Sequence, residues 1–358
     1  MDMMMTPEKL LQMVKGGEPV SELDCSGLKL DGLDLSGGMF LKTKFDGASL
    51  VGTNFHESVF HESSLMGCDF SKTNLLQTTF FQCAMEKAVF VEGHLKGAKF
   101  VESKLQGSNF GATELLEATF VKSDMTGSRF LGAHLEKTPF IECNLDEADF
   151  SGNTLKQIVC FQMDLRRARF AETVFDNAIF VEADLSGQSF VGQKFFACQF
   201  SDAKLEECDF SQADLTQSNF KNANLKKARL TGVQAPMALF PEAHLEEADC
   251  RRAKFDQSIW VDARMDSVDF SGSSMQQCVM HRVHGAKTNF SGCDLTYADF
   301  SNADVSNADF RKAVFMRTQF HRAQTDGAKW GSRSGILENH PELYKAEEWS
   351  AKRSGRGG

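Results

Sequence analysis

Large apolar residues fall on every fifth position of this chain, from Leu30 to Trp330, in one unbroken register. Of the 61 positions divisible by five in that span, 53 are Leu, Phe or Met, so nothing has shifted the phase over three hundred residues. Two residues before each of these centres, 51 of 61 positions hold Gly, Ala, Ser, Thr or Cys. The repeating unit is a small residue, a polar one, a large apolar centre and two more residues that are usually polar, as in SNADVSNADF from Ser301 to Phe310. A period of five fits neither the 3.6 of a helix nor the 2 of a strand, so the chain has to turn at every unit. Four short extended pieces joined by turns close a square coil of twenty residues, and successive coils stack through backbone hydrogen bonds, centres inward.

A finer alternation supports four faces. Phe holds 23 of the 30 centres ending in zero between 40 and 330, but only six of the 30 ending in five between 35 and 325. Phe is thus predicted on two opposite faces and mostly Leu on the other two, like stacking on like. Where a centre shrinks, to Cys160, Ala235 or Gly285, the residue two before it grows, to Ile158, Val233 or Val283. Such volume-conserving exchange is what a close-packed interior tolerates best. Pro236 and Pro241 flank one of these sites, and because proline cannot donate a ladder bond a bend or wider turn is expected over 233–241.

The units Ala213-Asp214-Leu215, Ala223-Asn224-Leu225, Ala298-Asp299-Phe300 and Ala308-Asp309-Phe310 match the A(D/N)LXX consensus nearly verbatim, and over about residues 26–330 the chain resembles the pentapeptide repeat family. The resemblance implies an all-β fold, a right-handed quadrilateral parallel β-helix of about fifteen coils; at about 4.8 Å per coil that is roughly 70 Å of stack. It also implies two kinds of activity, mimicry of DNA towards type II topoisomerases such as DNA gyrase (the quinolone-resistance type) and accessory roles in secretion systems. Neither has a motif in the repeat.

The open ends of a solenoid need caps. Thr6 as N-cap, Pro7 at the first helical position and Gly16-Gly17 at the end predict an N-terminal helix whose Leu10, Leu11 and Val14 cover the first coil. A second helix is expected from Pro341 to about Ala351, after a linker from Gly331 to Gly335 and before a mobile tail from Ser354 to Gly358. The expected organisation is a helical cap over 1–25, the β-helix over 26–330, and linker, short helix and tail over 331–358.

Candidate chemistry is sparse. All ten cysteines occupy inward positions and none stacks on another twenty residues away, which reads as small buried thiols in a reducing compartment. Nine histidines are present; all but His340 fall on outward positions, and the closest pair, His281 and His284, has no third ligand at a metal-site spacing. There is no phosphate loop, nucleophile elbow or HExxH motif. No catalytic, cofactor-binding or metal-binding residue is assigned, no cofactor is expected, and the chain is not expected to be an enzyme. With no run of eighteen apolar residues, and with a Met1-to-Met5 leader unlike a signal peptide, a soluble, cytoplasmic protein is expected, away from membranes.

The outer surface remains. Residues just after the zero-ending centres run Leu41, His61, Phe81, Val101, Val121, Ile141, Phe161 and Val181, then turn polar at Ser201 and Lys221; just before the same centres come Met39, Val59, Val159 and Ile179. Residues twenty apart stack, so the first eight coils should carry an exposed apolar stripe, and contiguous apolar surface marks a partner site. The predicted protein-binding residues are Met39, Leu41, Val59, Phe81, Val101, Val121, Ile141, Val159, Phe161, Ile179 and Val181. Beside them runs an acidic column of Glu62, Glu102, Glu142, Glu182, Asp202, Glu242 and Asp262, interrupted by Gln82, Lys122, Gln162 and Asn222. Stacked like charges repel unless cationic or polar neighbours relieve them.

The expected function is a non-catalytic scaffold or adaptor that binds another protein. The N-terminal segment from Thr6 to Pro19 resembles free-standing pentapeptide repeat proteins of bacterial type VI secretion clusters, which implies a secretion effector or secretion component as partner and a part in effector loading. The alternative is a DNA mimic whose partner is a type II topoisomerase. Against that stands a net charge of -10 over 358 residues, broken by basic clusters at Arg166-Arg167-Arg169, Lys226-Lys227-Arg229 and Arg251-Arg252-Lys254. Overall acidity also disfavours direct nucleic-acid binding. A homodimer through a terminal element is a further expectation.

Overall fold

A computed structural model describes residues 5–339 and 341–354. Its contacts divide into two compact units, Met1–Leu185 with Gln193–Gln199 (unit 1) and Ser186–Gly192 with Phe200–Gly358 (unit 2). Each unit is a right-handed, four-sided parallel β-helix in which residues twenty apart pair, as Phe40 with Phe60 in unit 1 and His244 with Arg264 in unit 2. Pairing begins at Val20, which sits against Phe40.

One unit of five shows how the coil is made. The centre points inward; its carbonyl accepts from the N–H three residues later, as Leu28 to Cys25 at 3.2 Å and Ala88 to Met85 at 3.1 Å. The residue two after the centre is left-handed at nearly every corner of this kind, with φ of 65° at Gly27, 56° at Glu57 and 74° at Gly187. That combination is a type II turn, whose third residue needs positive φ. The Asp or Asn before the centre closes the next corner by accepting an N–H two residues on, as Asp69 from Ser71 and Asp209 from Ser211, each at 2.9 Å. The consensus Asp/Asn is therefore an Asx turn fastening the chain as it bends.

The small inward residues explain their own chemistry. A hydroxyl there donates to the carbonyl of the centre in the preceding coil: Thr53 to Leu30, Thr73 to Leu50 and Thr113 to Phe90, all at 2.8 Å, and in unit 2 Ser273 to Cys250 at 2.7 Å. A buried hydroxyl without a partner would cost about 1–3 kcal/mol, so this recurring acceptor is what lets Ser and Thr sit inside at most of these positions, although Ser128 Oγ is buried without one. Cys68 and Cys293 make the same bond through sulfur, to Phe45 and Phe270. All ten cysteines are free thiols, and only Cys143 is more than slightly exposed. Burial pushes the thiols of Cys68, Cys83, Cys278 and Cys293 up to about 12, which keeps them protonated and inert.

The ring ladders stand as the alternation predicts. In unit 1, Phe80, Phe100 and Phe120 stack at 4.9 Å, and Phe90, Phe110 and Phe130 stack on the opposite face at 4.7 and 5.0 Å. The two ladders meet edge to face, as Phe90 with Phe100 at 5.8 Å and 84°. In unit 2, Phe220, Phe240 and the fully buried Trp260 continue the pattern, with Trp260 stacked on Phe240 at 4.1 Å. Ile158, Val233 and Val283 are buried beside the reduced centres, as the volume argument requires.

One expectation is corrected. No wide turn interrupts 233–241: Gln234 pairs with Lys254 and Leu239 with Ile259 in the normal register, and both Pro carbonyls accept ladder bonds, from Gln217 and Asn222. The reason is positional, since the residue after a centre gives its N–H to an Asx side chain elsewhere and not to the neighbouring coil, so proline forfeits no rung there. Gly331 to Gly335 carries no helix or strand, and a short strand not expected from the sequence follows it. Gly335 turns at a φ of 91°, its carbonyl accepts from Thr318, and Ile336–Leu337 pairs with Thr318–Gln319, an offset of eighteen that ends the twenty-residue register.

Helix α1 spans Pro7–Lys15, with the Thr6 side chain accepting from the Lys9 N–H at 3.3 Å and Gly16 as C-cap. Leu10 and Val14 are buried, while Leu11 is only half-buried. Lys15 also pairs with Asp34 on the first coil. Hydrogen bonds from Lys15 and Ser36 hold the Asp34 carboxyl at about 2. Its folded value lies below the unfolded value of about 3.9, so its stabilisation is present above pH 4 and lost as pH falls toward 2. Hydrogen exchange of the α1 amides is expected to accelerate over that window, and Asp34→Asn to remove the pH dependence; an equal acid response in that variant would refute the link.

Helix α2 spans Pro341–Ser354, three residues past its expected end. It packs on the last coil through Glu347, which meets the His321 Nε2 at 3.1 Å and the Arg322 Nε at 2.7 Å, and through Tyr344, which lies 4.5 Å beneath the Arg322 guanidinium. His321, expected on the outside, is only 3 % exposed because α2 covers it. The repeat register carries no information about a helix that folds back from beyond it. Residues 1–4, His340 and the tail from Gly355 to Gly358 lie outside the described residues.

Candidate protein-binding face

One face of unit 1 forms an eight-stranded sheet, and a second face holds a four-stranded one over Leu135–Glu136, Thr154–Lys156, Val174–Asp176 and Lys194–Phe196. Strands Val20–Ser21, Met39–Leu41, Val59–His61, Thr79–Phe81, Lys99–Val101, Thr119–Val121, Pro139–Ile141 and Val159–Phe161 make eight parallel rungs; the other faces mostly hold single bridges. Local chemistry explains the difference. Here the residue after the centre stays extended, and its carbonyl accepts a hydroxyl from two residues later, as His61 from Ser63 at 3.2 Å and Val121 from Ser123 at 3.1 Å. One rung is weakened, because Pro139 cannot donate and only Phe140 and Ile141 pair with the strand below.

The stripe read from the sequence lies on the outer side of this sheet. Register places Leu41 against His61, His61 against Phe81, Phe81 against Val101, Val101 against Val121, Val121 against Ile141 and Ile141 against Phe161. Val181 follows, its carbonyl accepting from the N–H after Phe161. The polar member, His61, stacks its ring on Phe81 at 5.3 Å and 1°, so the column is unbroken. The second column is not: Met39 and Val59 are parted from Val159 and Ile179 by Thr79, Lys99, Thr119 and Pro139. Met39 (47 %), Val59 (38 %), Ile141 (38 %) and Phe161 (42 %) are exposed, and Leu41, Phe81, Val101, Val121, Val159, Ile179 and Val181 are half-buried.

The acidic column beside them is a ladder of pairs, because the residues that interrupt it in sequence are its donors. Lys42 meets Glu62 at 3.6 Å, Gln82 donates to Glu102 at 2.8 Å, Lys122 meets Glu142 at 3.8 Å and Gln162 donates to Glu182 at 2.7 Å. In unit 2, Asn222 donates to Asp202 at 2.7 Å and Arg282 grips Asp262 through two bonds of 2.7 and 2.8 Å. Exposed pairs of this kind add about 0–1 kcal/mol each, so their main effect is on the local field and not on stability. All three basic clusters are likewise engaged: Arg166 with Asp164, Lys226 with Glu246 and Arg229 with Asp209, and Arg251 with Asp249.

A concavity of about 810 Å³ that no sequence motif signals opens in unit 1 beside Gly93 and Ala112. Its polar lining is engaged in ion pairs, Lys72 with Glu92 at 3.7 Å and His94 with Glu114 at 3.2 Å, while Glu136 reaches Lys156 at 3.0 Å. Among the described residues no group of three or more His, Cys, Asp or Glu is placed to hold a metal ion, and no helix is long and apolar enough to cross a membrane.

A family model described as Pentapeptide repeats matches in eight copies, over residues 94–130, 159–189, 194–233, 243–282, 263–296, 286–311 and 293–328, and one described as Pentapeptide repeat region matches residues 35–110. No curated protein matches the chain. Among solved structures, the trypsin-treated plasmid-mediated fluoroquinolone resistance protein QnrB1 is similar at 20% identity, over 54% of this chain and 90% of that one, with a TM-score of 0.39. HetL, a pentapeptide repeat protein involved in heterocyst differentiation regulation from the cyanobacterium Nostoc, is similar at 15% identity over 88% and 96%, with a TM-score of 0.17. A pentapeptide repeat protein from the Arabidopsis thaliana thylakoid lumen shows 28% identity over 34% and 66%, with a TM-score of 0.18.

Proposed function

The chain belongs to the pentapeptide repeat family, and from that premise we propose that it is a non-catalytic scaffold that binds another protein through the apolar wall of unit 1. The observation that carries the proposal is the unbroken outer column from Leu41 to Val181. A wall of paired strands leaves these side chains no partner within the coil, and contiguous exposed apolar surface is what partners cover. The likeness of the Thr6-to-Pro19 segment to type VI secretion proteins extends the proposal to a secretion effector or component as partner, and to an adaptor role in loading it.

The charge ladder weighs against DNA mimicry. Duplex DNA presents about one charge per 1.7 Å, or about twenty along the 34 Å spanned by eight coils. The corner column of unit 1 offers four carboxylates over that length, two of them paired with lysine.

The test is affinity capture from the native host with the full chain and with a Phe81→Asp, Val121→Asp double variant. Both side chains face outward, so far-UV circular dichroism and the melt should be nearly unchanged while the principal captured protein falls at least tenfold. An unchanged set of captured proteins would remove this face from consideration. In a gyrase supercoiling assay no inhibition is expected at micromolar protein; inhibition would restore the mimic.

A further inference from the structure

The dimensions and charges of the wall restrict what can lie on it, and this step rests on the docking reading above. From Leu41 to Val181 the column spans seven coil steps, about 34 Å at about 4.8 Å each. Across the strands, the residues before and after each centre are about 6.6 Å apart, so with their side chains the strip is about 10–12 Å wide. That is the diameter of a single α-helix, and 34 Å is the length of about 22 helical residues. The strip offers roughly 370 Å², well under the about 800 Å² per partner of a standard interface, so its occupant is a narrow element held also by the charges that flank the strip. An added strand has no purchase, since the face presents side chains and its ladder groups are already paired within the stack.

Spacing and charge agree with a helix. Two coils rise about 9.6 Å and a helical heptad about 10.5 Å, so an apolar seam keeps step with the column over three heptads with under 3 Å of slip. The flanking ladder leaves two carboxylates whose hydrogen-bond donors are neutral, Glu102 with Gln82 and Glu182 with Gln162, whereas Glu62 and Glu142 are matched by Lys42 and Lys122. Glu102 and Glu182 are four coils apart, about 19 Å, or about thirteen residues of helix. On the opposite edge of the strip the exposed Lys99 sits in the same coil as Glu102. We infer that the occupant of the wall is one amphipathic α-helix of about six turns from a partner protein, its apolar seam on the Leu41-to-Val181 column and its basic flank towards Glu102 and Glu182. An acidic residue across the seam faces Lys99 and fixes the direction of the helix.

The test places a photocrosslinking amino acid, one position at a time, at Leu41, Phe81, Val121 and Phe161 of the full chain in the native host, and maps the crosslinked residues by mass spectrometry. Each step between these positions is two coils. A helix predicts crosslinks that advance along one segment of one partner by about six residues per step. An advance of about three residues per step means an extended chain, and scattered sites or crosslinks to a second copy mean a different occupant; any of these overturns the helix while leaving the docking face. No crosslink from any of the four positions overturns the docking reading itself. Joint Glu102→Lys and Glu182→Lys substitution is expected to reduce crosslinking at Val121 and Phe161 at least threefold, with an unchanged melt; an undiminished yield overturns the basic flank.

Discussion

Replacing Phe100 with alanine is expected to remove about 3–5 kcal/mol from the stability of unit 1, whereas Val101→Ala, one residue away, should remove less than about 1 kcal/mol. Phe100 is fully buried, stacked at 4.9 Å on both Phe80 and Phe120 and meeting Phe90 and Phe110 edge to face at 5.8 and 6.1 Å. Its removal forfeits transfer energy, leaves a cavity that coils pinned above and below cannot close, and breaks four ring contacts each worth about 0.5–1.5 kcal/mol beyond area. Val101 faces out and loses only wall contacts. Urea unfolding followed by far-UV circular dichroism checks the pair, and equal losses would contradict the inside-outside assignment.

Deleting twenty residues, Glu102 through Val121, is expected to do less damage than deleting Glu102 alone. The long deletion removes one whole coil and joins Val101 to Lys122, which takes the same corner position, so every later centre still meets a centre below it. Solenoid stability is close to a sum of coil and neighbour contributions, and the cooperative melt should survive. The single deletion removes a left-handed corner and moves every later residue of the unit by one position, turning Phe120 and Phe140 out of their ladder. A loss beyond about 4 kcal/mol, or of the cooperative transition, is expected. A stable, cooperative single-deletion variant would show that corners absorb register errors.

What could be read from the chain follows from where the physics is local. The fives register and the Phe alternation gave the coil and its ring ladders, because packing within and between coils repeats in sequence. The left-handed corners were visible in principle, since Gly27, Gly32, Gly47 and Gly52 all sit two after a centre, but Glu57 and Glu102 at the same place hide the rule. Pro236 and Pro241 were misjudged because the sequence does not reveal which N–H the ladder leaves unused. The interruptions of the acidic column by Gln82, Lys122 and Gln162 are visible in the sequence, but their pairing with the carboxylates twenty residues on depends on side-chain reach between stacked coils. The burial of His321 was beyond reach, since Glu347 and Tyr344 lie outside the repeat. Which face becomes a continuous sheet depends on hydroxyls such as Ser63 and Ser123 catching strand carbonyls, a contact that composition alone does not single out.

The Trp260 stack belongs to unit 2, and so do the other chromophores of its kind: Trp330, Trp349, Tyr297 and Tyr344 all follow it in the chain. Unit 1 has only phenylalanine, and is therefore dark to intrinsic tryptophan and tyrosine emission. A fluorescence change that Trp260 reports measures events around its own stack, while a tryptophan on a ligand settling onto the wall would add emission that no residue of unit 1 supplies.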